Sequence, residues 1–344
     1  MGATLVRDAG RLPRLDHLLR LATPTGLYEH ALGDEPRVEH GMCVDDVARA
    51  LVVTARFPSS DASAADLAAT CLRFVRAAQH PDGRLHNRRD PDGTWLDEPS
   101  TDDHWGRGLW ALAVAAVELP AGPMARGAHR GATLAMGARS PHTRATAYAA
   151  LGAAELLRAD PRHGPARRLL GDARAMLPRA ADARWPWPEP RLTYANAVLP
   201  EALIAIGGAL GDDALLADGV RLLDWLTAEQ TVDGRLSVVP VGGRGPGDDR
   251  QGFDQQPVEV TALAEAAATA LRATGDPRWV TVLDRCVAWF EGANDTGVPV
   301  RDPATGAGFD GLERDGVNQN RGAESTLAWL ACAQLLAATS GGTA

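Results

Sequence analysis

Lysine is missing from this chain: all 35 basic residues are arginine, which reflects GC-rich coding more than mechanism. Basic charge is also outweighed. The formal net charge of −9 argues against general binding to nucleic acid or to an anionic membrane surface. Cysteine is scarce, and Cys43, Cys71, Cys286 and Cys332 lie far apart without metal-ligand spacing, so they read as buried, reduced thiols. The nine histidines show no pairing at zinc spacing, so neither metal nor cofactor is expected. No apolar run is long enough to span a bilayer. The segment from Met1 to Leu21 lacks the apolar centre of a secretory leader, so a cytoplasmic protein is expected. There is no phosphate-binding loop, dinucleotide fingerprint or serine nucleophile elbow. Aromatics make up only 5%, yet nine Trp stand against five Phe, and rings with a polar edge suit sugar stacking as well as cores.

What remains is 45% apolar, carried mainly by Ala, Leu and Val, and it falls into two kinds of helical segment. Segments near 12–22, 64–79, 123–138, 167–177, 214–229 and 277–291 are amphipathic. In the fourth, Leu169, Leu170, Ala173, Met176 and Leu177 recur at helical spacing between Arg167, Arg168, Asp172 and Arg174. Segments near 46–56, 103–118, 145–157, 196–210, 258–273 and 322–338 are small and apolar on nearly every side. A helix without a polar face must be buried all round. The two kinds alternate strictly, six of each, which predicts an inner ring of helices inside an outer ring. The fold class is therefore all-α, an (α/α)6 barrel formed as one domain over 1–344, with a core of about 12–338. A superhelical solenoid is the competing arrangement. Ser140-Pro141, Asp160-Pro161 and Asp276-Pro277 each read as an N-cap followed by proline at the first helical position.

Three connections, 80–101, 230–255 and 292–320, are long and polar, and each leads into an inner helix. The site is therefore expected at the mouth where the inner helices begin. Short β-hairpins are expected in these loops, one of them turning at Asp90-Pro-Asp-Gly93.

The starts of the inner helices carry carboxylates and amides. Asp, Ser, Thr and Asn are ordinary N-caps. Capping does not account for a second carboxylate at Asp46 and Asp103, nor for Glu259 and Glu324 inside helices without a polar face. Acids gathered at one mouth suit cleavage of a glycosidic bond: one protonates the leaving oxygen while the other activates water or attacks the sugar carbon. Asp46 and Asp103 are the first candidates for catalysis, with Glu324 and Glu259 in reserve. Asp45, Asp254, Gln255, Gln256, Asn196 and Asn320 offer hydrogen bonds to hydroxyl groups. His104, Trp105, Trp187 and Tyr194 complete the expected sugar-binding set. The segment Trp185-Pro-Trp187-Pro-Glu189-Pro cannot be helical and reads as a stiff wall of the site.

Several of these stretches together carry a resemblance. Asp45-Asp-Val-Ala-Arg-Ala-Leu51, Asp97-Glu98 with Asp103-His-Trp-Gly-Arg-Gly-Leu-Trp110, Phe253-Asp-Gln-Gln-Pro-Val-Glu259, Phe309-Asp-Gly-Leu312 and Asn320-Arg-Gly-Ala-Glu-Ser-Thr-Leu327 resemble a bacterial family of six-hairpin, glycosidase-like proteins. Members are often labelled as glycosyltransferases because they sit beside or are fused to such enzymes. The resemblance runs from about Gly26 to Ala338. It implies the (α/α)6 fold, an oligosaccharide or glycoside ligand and a functional link to a glycosyltransferase. A glycoside hydrolase is the leading expectation. A sugar isomerase or epimerase would use His104 and His142 as proton shuttles. A non-catalytic glycan-binding accessory is a third reading. Gln79-His-Pro-Asp-Gly83 and Gln230-Thr-Val-Asp-Gly234 resemble terpene-cyclase repeats, but low aromatic content and a lone Asp45-Asp46 pair argue against that chemistry.

Overall fold

The structure is a computed structural model that describes residues 12–180 and 184–340. The expected absence of a leader over residues 1–11, and the outer limits of the 1–344 domain, lie outside the described residues.

The helices are α1 (Asp16–Leu21), α2 (Val44–Ala55), α3 (Ala62–Ala77), α4 (Asp103–Glu118), α5 (Pro123–Ala135), α6 (Thr143–Ala159), α7 (Gly164–Met176), α8 (Val198–Leu210), α9 (Asp213–Glu229), α10 (Pro257–Thr274), α11 (Arg278–Phe290) and α12 (Ala323–Ser340). The even-numbered helices are the apolar ones. Each packs on the next, and α12 packs on α2, so the inner ring closes. A solenoid would leave those two helices apart. The odd-numbered helices lie outside, α3 against α2, α5 against α4, and so on to α1 beside α12. The chain is therefore an (α/α)6 barrel. No helix among the described residues is long and apolar enough to cross a membrane.

Small residues set the spacing of the ring. A Cβ on Gly106 of α4 would stand 2.2 Å from the Ala145 carbonyl oxygen of α6, and one on Gly152 of α6 would stand 2.8 Å from the Trp110 Cα. Such backbone proximity is available only where a side chain is missing. The cysteines are buried free thiols, as expected.

Each mouth loop leads into an inner helix, and the strands are two-stranded antiparallel pairs of two or three residues. Met42–Cys43 pairs with Arg88–Arg89, which ties the segment leading into α2 to the 80–101 loop. The predicted turn forms: the Gly93 N–H donates to the Asp90 carbonyl, and Arg89 bridges to Trp95.

The proline-cap expectation is corrected. Ser140-Pro141 and Asp160-Pro161 lie in turns ahead of their helices, whose N-caps are His142 and His163. Pro277 is itself the N-cap of α11. The Asp160 and Asp276 carboxylates accept from Arg162 N and Arg278 N, closing Asx turns in place of true caps. The first outer helix is also shorter than expected, a single turn and a half from Asp16 to Leu21.

Gly106→Ala is expected to lower the unfolding free energy by about 1–3 kcal/mol or more, because the carbonyl it meets belongs to backbone and cannot swing aside. Gly208→Ala in α8, where nothing lies within 4 Å, is expected to raise it by about 0.5–1 kcal/mol. Chemical denaturation of both variants checks the pair. A mild effect at Gly106 would remove the argument that glycine sets the α4–α6 distance.

Candidate active site

The inner helices begin at one mouth, and their first turns hold the charged groups. None of the N-caps of α2, α4, α6, α8 or α10 makes a side-chain capping bond. The acids there are therefore not spent on capping.

They are organised by two arginines that rise from the same helices. Arg49, one turn after Asp46 on α2, places Nη1 2.6 Å from Asp46 and Nη2 2.7 Å from Glu324 on α12. Arg107, one turn after Asp103 on α4, places Nη1 2.6 Å from Asp45 and lies 4.7 Å over the Tyr148 ring of α6. Both guanidiniums and Glu324 line a funnel along the barrel axis, with about 590 Å³ of free space including its open mouth. Burial works against the charge of Asp45, but Arg107 and Arg49 outweigh it and hold Asp45 below the usual carboxylate range. Asp46 has the opposite fate. Burial pushes it up to about 7, with Glu324, Glu29 and Asp45 adding to the push and Arg49 opposing it. Its other oxygen accepts from the Cys43 thiol at 3.4 Å.

A second pair of acids faces across the ring. Asp103 begins α4, and Glu259 lies in the first turn of α10, three places round a ring of six. The turn before α8 touches both. The Tyr194 hydroxyl donates to Asp103 Oδ2 at 2.5 Å. The next two residues hold Glu259: Ala195 N donates to Oε1, and Asn196 donates to Oε2 from Nδ2 at 2.8 Å and from its backbone N at 3.3 Å. Burial pushes Glu259 up to about 7 against the pull of those donors. Arg144 of α6 steadies the turn. Its guanidinium is bound by Glu189 through two bonds of 2.8 Å, and it donates to the Tyr194 carbonyl and the Thr193 hydroxyl at 2.7 Å each. Asp103 and Tyr194 border a basin of about 790 Å³, and Tyr194, Gln256 and Glu259 border a neighbouring one of about 600 Å³.

The other predicted residues divide. Asp45 and His104 sit at the edge of a mouth basin with Asp97 and Asp102, although the His104 Nε2 is engaged with the Leu85 carbonyl at 2.9 Å. Gln256 is exposed beside Glu259. Asp254 is exposed but borders none of these basins. Six expectations are corrected. Trp105 is fully buried with its N–H on the Gly83 carbonyl, and Trp187 is fully buried with its ring stacked 6.1 Å from Trp225, so neither ring faces a ligand. Gln255 is fully buried between Asp295 and the Trp289 N–H. Asn196 is likewise buried and holds Glu259 in place of a sugar hydroxyl. Asn320 accepts from Gly33 N and tethers the 31–36 hairpin. The Trp185–Pro190 segment forms a brace for Arg144 through Glu189 more than a wall. Sequence reading missed Arg49, Arg107 and Arg144. A signal was available, since Asp46/Arg49 and Asp103/Arg107 stand at i,i+3 and i,i+4 on helices that have no polar face.

Among the described residues, Glu29, Cys43 and Asp46 bring ligand atoms within 4.8 Å of one another, close enough for a metal ion. Arg88 and Arg49 already pair with those two carboxylates. At the floor of the funnel Arg56 forks onto Glu265 at 2.6 and 3.0 Å, and the Thr269 hydroxyl donates to Glu201 at 2.8 Å. Burial and the neighbouring Glu265 push Glu201 up to about 8.

No family model matches the chain, and no curated protein matches it in sequence. Solved structures do match its fold. A sugar epimerase from a ruminal bacterium aligns with a TM-score of 0.68 at 14% identity, covering 96% of each chain. Cellobiose 2-epimerase from Spirochaeta thermophila gives 0.67 at 14% identity over 94% of this chain and 93% of that one. The GH76 α-mannanase BT2949 of Bacteroides thetaiotaomicron gives 0.63 at 12% identity over 95% and 93%. At such identities the likeness establishes the (α/α)6 fold that they share with this chain.

Arg107→Met leaves Asp45 and Asp103 without their cation, and a broken buried pair costs about 3–5 kcal/mol. Equilibrium unfolding checks it, and a loss under about 1 kcal/mol would contradict the pairing. Glu201 gives a pH test. Its folded value, about 8, lies above its ordinary 4.5. Between those values the folded chain keeps a proton that the unfolded chain has released, so this group's contribution to stability falls as pH rises through the window. Glu201→Gln removes the dependence. The stability of the variant relative to the parent should climb from pH 4.5 to 8, and parallel curves would refute the assignment.

Proposed function

We propose that the protein is a carbohydrate-active enzyme, and specifically a glycoside hydrolase in which Glu259 is the proton donor and Asp103 the base. The observation that carries this reading is the turn 193–196, which grips one carboxylate at each end: Tyr194 holds Asp103, and Ala195 and Asn196 hold Glu259. The two acids live in different surroundings, which is what acid–base division of labour requires. Glu259, raised to about 7, carries a proton near neutral pH. Asp103 is partly exposed on the basin side. In the step, Asp103 takes a proton from a water whose oxygen bonds to the anomeric carbon. The glycosidic C–O bond breaks, and Glu259 gives its proton to the leaving oxygen. Arg107 and Arg49 fix the remaining charges of the mouth. Asp46, closed in by Cys43 and Arg49, supports Arg49 in this reading, and Glu324 faces the funnel as a hydrogen-bond acceptor. Four buried thiols support a cytoplasmic setting. The functional link to a glycosyltransferase rests on the family resemblance.

A second reading, a sugar epimerase or isomerase, is favoured by one specific feature besides the fold neighbours. His142 Nε2 lies 3.0 Å from Asp102 at the edge of the Asp103 basin, an exposed imidazole–carboxylate pair able to move a proton. It would exchange a carbon-bound hydrogen of the sugar with solvent.

Asp103→Asn and Glu259→Gln are each expected to lower turnover at least 100-fold with the fold intact, assayed as reducing-sugar release from a panel of gluco-, galacto- and manno-oligosaccharides. Full activity in both variants would sink the hydrolase assignment. Solvent deuterium appearing at a sugar carbon without glycosidic cleavage would put the epimerase in its place.

A further inference from the structure

Tyr194 is placed where packing alone does not put it. The residue is 44% exposed, yet its hydroxyl reaches an acid 91 residues away, on a helix two places round the ring. To get there the side chain crosses the start of α6. Arg144 lies under it there, 4.8 Å from the ring centre, and is itself locked by Glu189 and Thr193. The ring is thus held as a bar across the mouth. It borders the Asp103 basin on one side and the Glu259 basin on the other. The bond it makes takes up Oδ2 of Asp103, whose nearest cation, Arg107 Nη2, stands 3.9 Å away and beyond hydrogen-bond reach. A phenol O–H donating to a carboxylate presents the same kind of donor as a sugar hydroxyl.

We propose that Tyr194 is a specificity-determining latch: in the ligand-free protein its hydroxyl holds the place at Asp103 that a hydroxyl of the bound sugar takes. The proposal rests on the carbohydrate reading above. A sugar that fills Oδ2 releases the phenol, the bar lifts, and the two basins join over the 193–196 turn. A ligand without a donor in that position leaves the bar down. Tyr194 is accordingly a positioning residue, acting through Asp103 and not on the reacting bond.

The test is calorimetric titration of gluco-, galacto- and manno-disaccharides into the full chain, using Glu259→Gln to prevent turnover, with and without Tyr194→Phe. The phenylalanine keeps the ring over Arg144 and removes only the competing hydroxyl. At least one disaccharide should bind about tenfold more tightly to the Tyr194→Phe form, in line with a charge-assisted hydrogen bond that no longer has to be broken. With Glu259 restored, KM for that sugar should fall in the Tyr194→Phe form, a change that a merely structural tyrosine would not produce. Equal or weaker binding by the Tyr194→Phe form overturns the latch, and so does failure of both forms to bind any disaccharide. Tighter binding to Tyr194→Phe combined with full turnover by Asp103→Asn keeps the latch and removes the hydrolase assignment alone.

Discussion

A helix that is apolar on every side has to be surrounded, and six such helices in one chain can surround one another only by closing on themselves. That constraint shapes everything else in the molecule. It demands small residues at the contacts, and Gly106 and Gly152 admit the neighbouring backbone where α4 meets α6. It demands an outer layer that is apolar on one face only, which the odd-numbered helices supply. It also leaves polar groups few places to go. A charge on an inner helix must meet another charge inside the ring or lie at an end where loops and solvent can reach it.

The charges follow that rule. At the mouth the aligned helix dipoles favour carboxylates, and Asp45, Asp46, Asp103, Glu259 and Glu324 collect there. Acids gathered at one end would repel one another, and two arginines from the ring itself pair with three of them, Asp45, Asp46 and Glu324. Burial still works against several carboxylates. Asp46 and Glu259, pushed up to about 7, and Glu201, pushed up to about 8 at the floor, are acids whose burial outruns the help they receive, as are Asp310 and Asp224. Raised carboxyls mark functional sites and structural networks alike. Among the described residues, Glu259 alone combines the shift with a place on a mouth basin and a neighbour turn that also grips a second acid.

Much of this was legible in the residues, and the failures have a common cause. The ring was readable because the contrast between amphipathic and wholly apolar segments survives in composition alone, and α4 was predicted with the limits it has. The mouth was readable because long loops led only into inner helices. Which side chains point into the funnel was not readable. A helix with a polar face gives its own phase, whereas one without it offers no mark of inward against outward. Trp105 therefore passed for a sugar platform when it is core, and Gln255 and Asn196 passed for ligands of a sugar when they bind Trp289 and Glu259. In the loops, a Trp-Pro repeat announces only that it is not helical. That Trp187 would pack on α9, and that Glu189 would clamp Arg144 from α6, depends on tertiary neighbours that no local pattern carries.

The contact between α12 and α2 has one more implication. Because α1 also lies beside α12, the hairpins form a cycle in which the covalent chain happens to be interrupted at one seam. Topologically the first hairpin is no more first than any other. The short turns at Asp160, Gly211 and Gly275 lie at the end of the barrel away from the mouth, where an inner helix hands over to an outer one. A cut at any of them, with the old seam sealed, would preserve each neighbour relation in the ring and leave the mouth untouched. Sequence order is thus a record of how the ring is threaded, and the site is a property of the cycle.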